Sequence, residues 1–219
     1  MYFKYYILFK TLNKTKKKIL LTSIGLFNKR GAFNVLNHEI ARASGISLSN
    51  FNYHFPTKKD LVISVCGQMR HVLNKKIAEN KLLANDSTPL EVAKIYLEFE
   101  NEFKFFYLDT HNILKSYKEL EQEMEFQIFE AVKLIKNIIY IAVGKGDMIH
   151  GPGITENTYE QVSNQIWMTC HFWFAQSDFK NTKENIINKG LNACYCLLAP
   201  YLSEKGTKKY KTILNTLKK

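Results

Sequence analysis

From Ala41 to Leu61 the chain reads ARASGISLSNFNYHFPTKKDL. Asn50, Asn52, Tyr53 and His54 fall within five residues, and Lys58 and Lys59 follow closely. Amide, hydroxyl, imidazole and ammonium groups in this density suit recognition by hydrogen bonding to base edges and phosphates. Asn pairs well with adenine, Ser donates or accepts with either partner, and an apolar residue such as Leu48 fits a thymine methyl. No comparable grouping points to catalysis or metal binding. The six histidines are scattered, and Cys194-x-Cys196 is not a zinc spacing on a helix. Cys170 adjoins His171, yet no third group completes a nucleophilic arrangement. The segment GKGD at 144–147 lacks the strand–loop–helix setting of a phosphate-binding loop. The expectation is a binding protein, not an enzyme, with no cofactor and no metal.

Such residues need a frame that aims them. Ile40 and Ala41 can pack inward from a short helix at about 37–43, and Phe51 from a second at about 47–54. Gly45 falls where the sharp turn between them needs a positive φ. Ile46 plugs the corner, and Ser47 caps the helix that follows. This is the spacing of a helix-turn-helix, whose second helix enters the major groove with its N-terminal residues toward the bases. Leu48, Ser49 and Asn50 then take the base-reading positions, with Asn52, Tyr53, His54 and the lysines at phosphate level. A helix over 14–30, stopped by Gly31, precedes the pair, and Gly25 within it predicts a close helix contact. Thr57 and Asp60 form a capping box that opens a long helix to about Leu83.

The blocks ILLTSIGLFNKRG, EIARASGIS and FNYHFPTKKDL together resemble the N-terminal DNA-binding domain of TetR-type (TetR/AcrR) transcriptional regulators. The resemblance covers about residues 14–62, with the blocks in family order and spacing. It implies a homodimer, a helical C-terminal ligand-binding domain, and repression relieved by an effector. By position it implicates His38 from the first motif helix, Leu48, Ser49 and Asn50 from the second, then Tyr53, His54 and the phosphate-binding Lys58, and the residues' own placement adds Ser47 and Asn52 as candidate DNA contacts. Asn52 stands where tyrosine is usual, and Leu48 where a polar or basic residue is common; both imply an altered site preference.

Charge supports that division of labour. Residues 1–80 hold 14 of the 31 Lys and Arg but only 3 of the 20 Asp and Glu, so the whole net charge of +11 lies there. A basic module joined to a neutral one implies that one end meets a polyanion. The opening run MYFKYYILFKTLNKTKKK is too short in its apolar part for a signal peptide or a membrane span. It reads as an extension, with a membrane-surface helix or a basic arm along DNA as the alternatives. The four cysteines lack the density of a disulfide scaffold and read as reduced residues. With no trusted period-2 pattern, the fold class is all-α: an extension at 1–13, a three-helix DNA-binding domain at 14–60, a larger helical domain at 61–202, and a lysine-rich tail at 203–219.

Beyond residue 62 no detailed resemblance is evident, and the helices have to be read from their own pattern. Thr88, Pro89 and Glu91 mark a helix start reaching about Leu108. Another begins near Asp109–Thr110, and a long apolar one covers 123–143. The last two run from about Glu156 to Gln176 and, capped by Asn181, to about Leu202. Phe103, Phe106, Tyr107, His111, Phe126, Phe129, Trp167 and His171 are the candidate lining of an effector cavity, against the plainer alternative of ordinary core. Val162, Ile166, Trp173, Ile187, Gly190, Leu191, Cys194 and Leu198 form stripes that suit a four-helix dimer interface. The resulting expectation is a cytoplasmic, one-component regulator. Its partners are double-stranded DNA, a second copy and a small apolar or aromatic effector, and no stable membrane association is expected. The alternative is a non-specific basic helical protein coating DNA or a membrane surface.

Overall fold

The computed structural model describes residues 13–80, 82, 87–179 and 185–218. Among them the regular elements are α-helices: α1 (Lys14–Arg30), α2 (Asn37–Ala43), α3 (Leu48–His54), α4 (Lys58–Glu79), α5 (Pro89–Glu102), α6 (Lys104–Leu108), α7 (Thr110–Ser116), α8 (Glu119–Gly144), α9 (Glu156–Phe179), α10 (Ile186–Leu198) and α11 (Glu204–Leu217). A 3-10 turn at Ala199–Tyr201 follows α10. An isolated bridge between Met148 and Leu202 is the sole β-type pairing among the described residues.

The chain divides into two compact units, Met1–Lys75 with Phe103–Gln122 and Lys76–Glu102 with Glu123–Lys219. The boundary therefore falls inside α4 and not at residue 60, and the first unit acquires α6 and α7. In that unit α1 turns Ile19, Leu20 and Phe27 inward to meet Ile40, Phe51, Leu61 and Val65. Gly31 ends α1 at φ +80°, donating its N–H to the Phe27 carbonyl at 2.7 Å. Gly25, expected at a helix contact, is exposed, with no atom within 4 Å of where a Cβ would sit. Phe103, Phe105, Phe106 and Tyr107 are all buried. Four buried aromatics in five consecutive residues cannot share one helical stripe, which is why the helix expected to reach Leu108 stops at Glu102 and restarts as α6. Phe105 meets Phe27 edge-on at 5.3 Å, and its backbone N–H donates to Asn28 Oδ1 at 3.0 Å.

The second unit is built on α5, α9 and α10, which pack against one another, with α11 laid on α5 and α10. Thr88 opens α5 as expected: its N–H donates to Glu91 Oε2 at 2.7 Å. A Cβ on Gly190 would lie 2.9 Å from Leu97 Cδ1, so α10 approaches α5 closely here and a side chain at this position would require Leu97 to shift. The cap expected at Asn181 lies outside the described residues; Asn185, at φ 52°, precedes α10. Residues 204–217, expected as a tail, form α11 instead. Ser203 caps it by accepting from the Gly206 N–H at 3.0 Å, and Gly206, Tyr210 and Leu214 face inward at helical spacing. Its start is tied to the loop after α8, where buried Asp147 pairs with Lys209 at 2.5 Å and Lys205 at 3.0 Å. Burial alone would raise the Asp147 carboxyl, but the two lysines outweigh it and hold it below the usual range.

Candidate nucleic-acid interface

The α2–α3 corner is assembled from local rules. Ser44 N–H returns to the Ile40 carbonyl at 2.8 Å, and Gly45 takes φ +64°, a conformation that costs other residues strain. Ile46 N–H then donates to the Ala41 carbonyl at 3.1 Å. Ser47 Oγ accepts from the Asn50 N–H at 3.1 Å and starts α3. Phe51 is the inward anchor of this helix, fully buried and 6.1 Å from the ring of Phe55.

With Phe51 inward, the remaining residues of α3 turn outward. Leu48, Ser49, Asn50 and Asn52 are exposed; Tyr53 is 82% exposed and lies edge-on to half-buried His54 at 5.2 Å. Ser47 and His38 are exposed as well, on the cap and on α2. The structure thus brings together eight of the nine predicted contact residues on α2, α3 and the cap between them.

Lys58 is the exception. Its Nζ donates to the Val35 carbonyl at 2.6 Å and lies 4.5 Å from the Phe27 ring centroid. Burial brings its ammonium down to about 8, against the opposing pull of Glu39. In this arrangement Lys58 fastens the start of α4 to the loop before α2 and does not face outward to a phosphate. The next residue, Lys59, pairs with Glu119. The same framework holds α2: Glu39 accepts from Arg30 Nη1 and from the Leu36 N–H, each at 2.8 Å. The Arg30 hydrogen bond and then the Leu36 amide hold the Glu39 carboxyl at about 2.

The end of the opening run, read from the sequence as an extension with a basic arm along DNA as one alternative, forms the start of α1. Lys16 Nζ lies 5.1 Å from the Phe55 ring centroid, and Lys18 Nζ would lie 3.5 Å from a Cβ at Gly45. The density of lysines ahead of the motif was the available signal.

The predicted effector residues do not form one cluster within either unit. Phe103, Phe106 and Tyr107 belong to the core of the first unit, and His111 is exposed there. Phe126, Phe129, Trp167 and His171 lie in the second. Phe126 is 43% and Phe129 60% exposed, whereas His171 is buried, stacked on Trp167 at 4.7 Å. Burial brings the His171 imidazole down to about 4. Between α8 and α9 runs a groove of 610 Å³ lined by Ile128, Phe129, Val132, Asn137 and Asn164, and of the predicted residues it takes Phe129.

The predicted dimer stripe is also placed differently. Val162, Ile166, Gly190, Leu191, Cys194 and Leu198 are buried within the second unit, and Trp173 and Ile187 are half-buried. Trp173 Nε1 donates to the Ile186 carbonyl at 2.7 Å. The apolar stripe is used by the chain's own α5–α9–α10 packing. What α9 and α10 leave exposed is the opposite side, with Gln161, Gln165, Met168 and Phe172 on one and Lys189, Asn192 and Cys196 on the other.

An all-α chain whose first unit is a capped helix-turn-helix with an unencumbered second helix falls in the class of helix-turn-helix proteins. Comparison with known proteins narrows the class. The TetR family profile, described as "Bacterial transcriptional repressor", matches residues 78–210, C-terminal to the blocks that carry the resemblance. The chain belongs to the TetR family of bacterial transcriptional repressors. It is 32% identical to the HTH-type transcriptional regulator YerO of Bacillus subtilis (strain 168) over 144 residues, 62% of this chain and 49% of that protein. The chain spans about half the length, or less, of the curated relatives it matches. In fold it resembles a TetR-family transcriptional regulator from Marinobacter aquaeolei VT8, with a TM-score of 0.78, 24% identity and coverage of 94% and 99% of the two chains. It also resembles FadR from Bacillus subtilis, solved in complex with stearoyl-CoA, with a TM-score of 0.61, 14% identity and coverage of 83% and 96%. No helix among the described residues is long and apolar enough to cross a membrane.

Proposed function

We propose that this protein is a cytoplasmic, homodimeric, one-component repressor that binds an inverted-repeat site in double-stranded DNA and releases it when a small apolar effector occupies the second unit. We read no catalytic role into it. The observation that carries the proposal is the outward face of α3, where Leu48, Ser49, Asn50, Asn52 and Tyr53 are exposed on a helix anchored from behind by Phe51. A helix presented in this way reads a major groove with its N-terminal residues. Family membership supports the reading, and the complex of FadR with stearoyl-CoA supports an effector of apolar character. Two half-sites require two heads, and the exposed sides of α9 and α10 are the surfaces we assign to the second copy. A hundredfold loss of DNA affinity needs about 2.7 kcal/mol of effector preference for the released state.

Selection of duplexes from a random pool tests this directly. The expected product is an inverted repeat bound in preference to unrelated duplex of equal length. Replacing Asn50 by Ala removes one bidentate reader, and binding to the selected duplex should weaken roughly 10- to 100-fold. Affinity for unrelated duplex and the unfolding midpoint should hold, because Asn50 contributes only its backbone N–H to the Ser47 cap. Equal affinity for all duplexes would instead mark a non-specific basic coat protein.

A further inference from the structure

Glu100 interrupts the inward face of α5. Ala93, Leu97 and Glu100 follow one another at helical spacing, and all three are buried. An apolar residue would continue that stripe, yet the chain places a carboxyl there, 1% exposed. Its Oε2 is enclosed without a hydrogen-bond partner, and no Lys or Arg among the described residues pairs with it. Asp147, also buried, is held by two lysines. A polar group kept inside without a partner is costly, and in a native chain it calls for an explanation. Helix packing supplies none, since Leu or Met would fill the same space.

The groups around the carboxyl say what would complete it. They are the Tyr96 phenol, one turn earlier on α5, and the Cys170 and Cys194 thiols of α9 and α10. Cys170 Sγ lies 3.9 Å from Cys194 Sγ and 3.8 Å from the Ala93 carbonyl oxygen, so these residues share one interior within the second unit. Burial and then Cys194 push the Glu100 carboxyl up. Burial, then Cys170, Glu100 and Glu130, do the same to the Tyr96 phenol. Carboxyl, phenol and thiol are each neutral with their proton and negative without it, and none can become positive. His171, a buried base of this unit, is stacked on Trp167 and lies edge-on to Phe172. The surroundings of Glu100 therefore resist further negative charge and lack the positive charge that a carboxylate needs.

We infer that Glu100 is the recognition point for a cationic effector, an apolar amine whose ammonium donates to Oε2 while its hydrocarbon body lies among the apolar side chains of α5, α9 and α10. The inference rests on the effector reading above and gives that effector its charge and its anchor. As the ammonium enters, the carboxyl releases its proton to solvent. A neutral acid is replaced by an ion pair, and the site stays without net charge. A water or an alcohol would be served equally by Gln, which offers an acceptor oxygen and never ionises. A carboxyl is required only where a full positive charge has to be met.

The test offers the full chain three probes of equal chain length, octylamine, octanol and octanoate, and reads binding by titration calorimetry at neutral pH. The amine should bind roughly 10- to 100-fold more tightly than the alcohol, the difference a charged hydrogen bond makes. Octanoate should bind more weakly than either. Buffers of different ionisation heat should reveal about one proton released per amine bound and none per alcohol. Glu100→Gln should bring the amine down to the alcohol's affinity and leave the alcohol unchanged, with an unfolding midpoint level or higher. Glu98→Gln, which removes a half-buried carboxylate from the same helix, should leave the amine's affinity as it was. Octylamine should also weaken binding to the selected duplex, except in Glu100→Gln.

Equal affinity for amine and alcohol overturns the inference, as does a Glu100→Gln variant that keeps the amine preference or a Glu98→Gln variant that loses as much. Absence of amine binding, or binding without proton release, overturns it too. The three probes and the proton count use the unaltered chain, so they decide even if Glu100→Gln does not fold. If the amine binds through Glu100 without releasing the duplex, the effector reading fails and the site stands. If the alcohol or the acid releases the duplex as well as the amine does, the site fails and the effector reading stands.

Discussion

The two units handle polar side chains in opposite ways. Among the described residues, the buried polar groups of the first unit are Ser23 and Ser44, two small hydroxyls. Its charged groups stay at the rim, where Arg30, Glu39 and Lys58 tie α1, α2 and α4 together, and the face of α3 is left clear. The second unit buries Glu100, Asp147 and His171 along with Thr88, Ser163 and Ser177. Asp147 has two lysines, but Glu100 Oε2 has no hydrogen-bond partner. Burial holds the Glu100 carboxyl well above its usual range, so it sits neutral. Cys170 and Cys194 bring their sulfurs to 3.9 Å nearby. A platform that must present α3 in one geometry gains from an apolar core with its chemistry outside. On the proposed reading, a unit that answers an effector tolerates buried polar groups, whose cost brings alternative packings closer in free energy.

The comparison breaks most readily at Phe51. Truncation to Ala empties the anchor behind α3 and should cost about 3–5 kcal/mol. Affinity for the selected duplex should be lost along with protection of the first unit's amides against hydrogen exchange. If the second unit's amides lost protection to the same degree, the two units would not be separate in stability. A smaller effect is expected from Gly206→Ala, in the second unit. A Cβ there would lie 1.8 Å from the Asp147 carbonyl oxygen, so α11 must move and strain its tie to the loop after α8. Overpacking of this kind costs about 1–3 kcal/mol. Denaturant melting should register the loss while the preference for the selected duplex persists. A collapse of that preference would show that α11 matters to recognition.

How far the sequence disclosed each unit follows from the same contrast. The head is written in local terms: a glycine at positive φ, a serine cap, the Thr57–Asp60 box and the inward spacing of Phe51. Each acts within a few residues and can be read without knowing the partner. The second unit depends on what covers each stripe. Periodicity showed that Val162, Ile166, Leu191, Cys194 and Leu198 share apolar sides, but own core and dimer core have the same pattern. That Gly190 serves the chain's own packing is visible only once Leu97 is seen against it. Composition hid α11, because lysines dominate a segment whose Gly206, Tyr210 and Leu214 already keep a helical stripe. Lys58 differs for the opposite reason: it stands at the lysine position of the motif, but its long stem lets the ammonium fold back to Val35.

The mildest perturbation is pH, and it bears on the second unit. His171 is buried against Trp167 and Phe172, and its imidazole titrates near 4, below the ordinary value of about 6.5. Between those two values the unfolded chain binds the proton and the folded chain does not. Stability therefore rises with pH across this window and falls as the solution is acidified through it. At pH 5.5 the share of stability owed to His171 should be lower by about 1 kcal/mol than at neutral pH. His171→Gln, which cannot take up the proton, should remove the upward contribution from the curve of unfolding midpoint against pH, whatever it does to the midpoint at pH 7. Glu100 acts in the other direction: neutral when folded and ionised when unfolded, it makes stability fall as pH rises above the usual carboxylate range. The two groups oppose each other between about 4.5 and 6.5, so the single variant should also uncover the downward slope that His171 masks. Parallel curves for the variant and the unaltered chain would show that the imidazole is protonated in place, and that the second unit's interior is wetter than its packing implies.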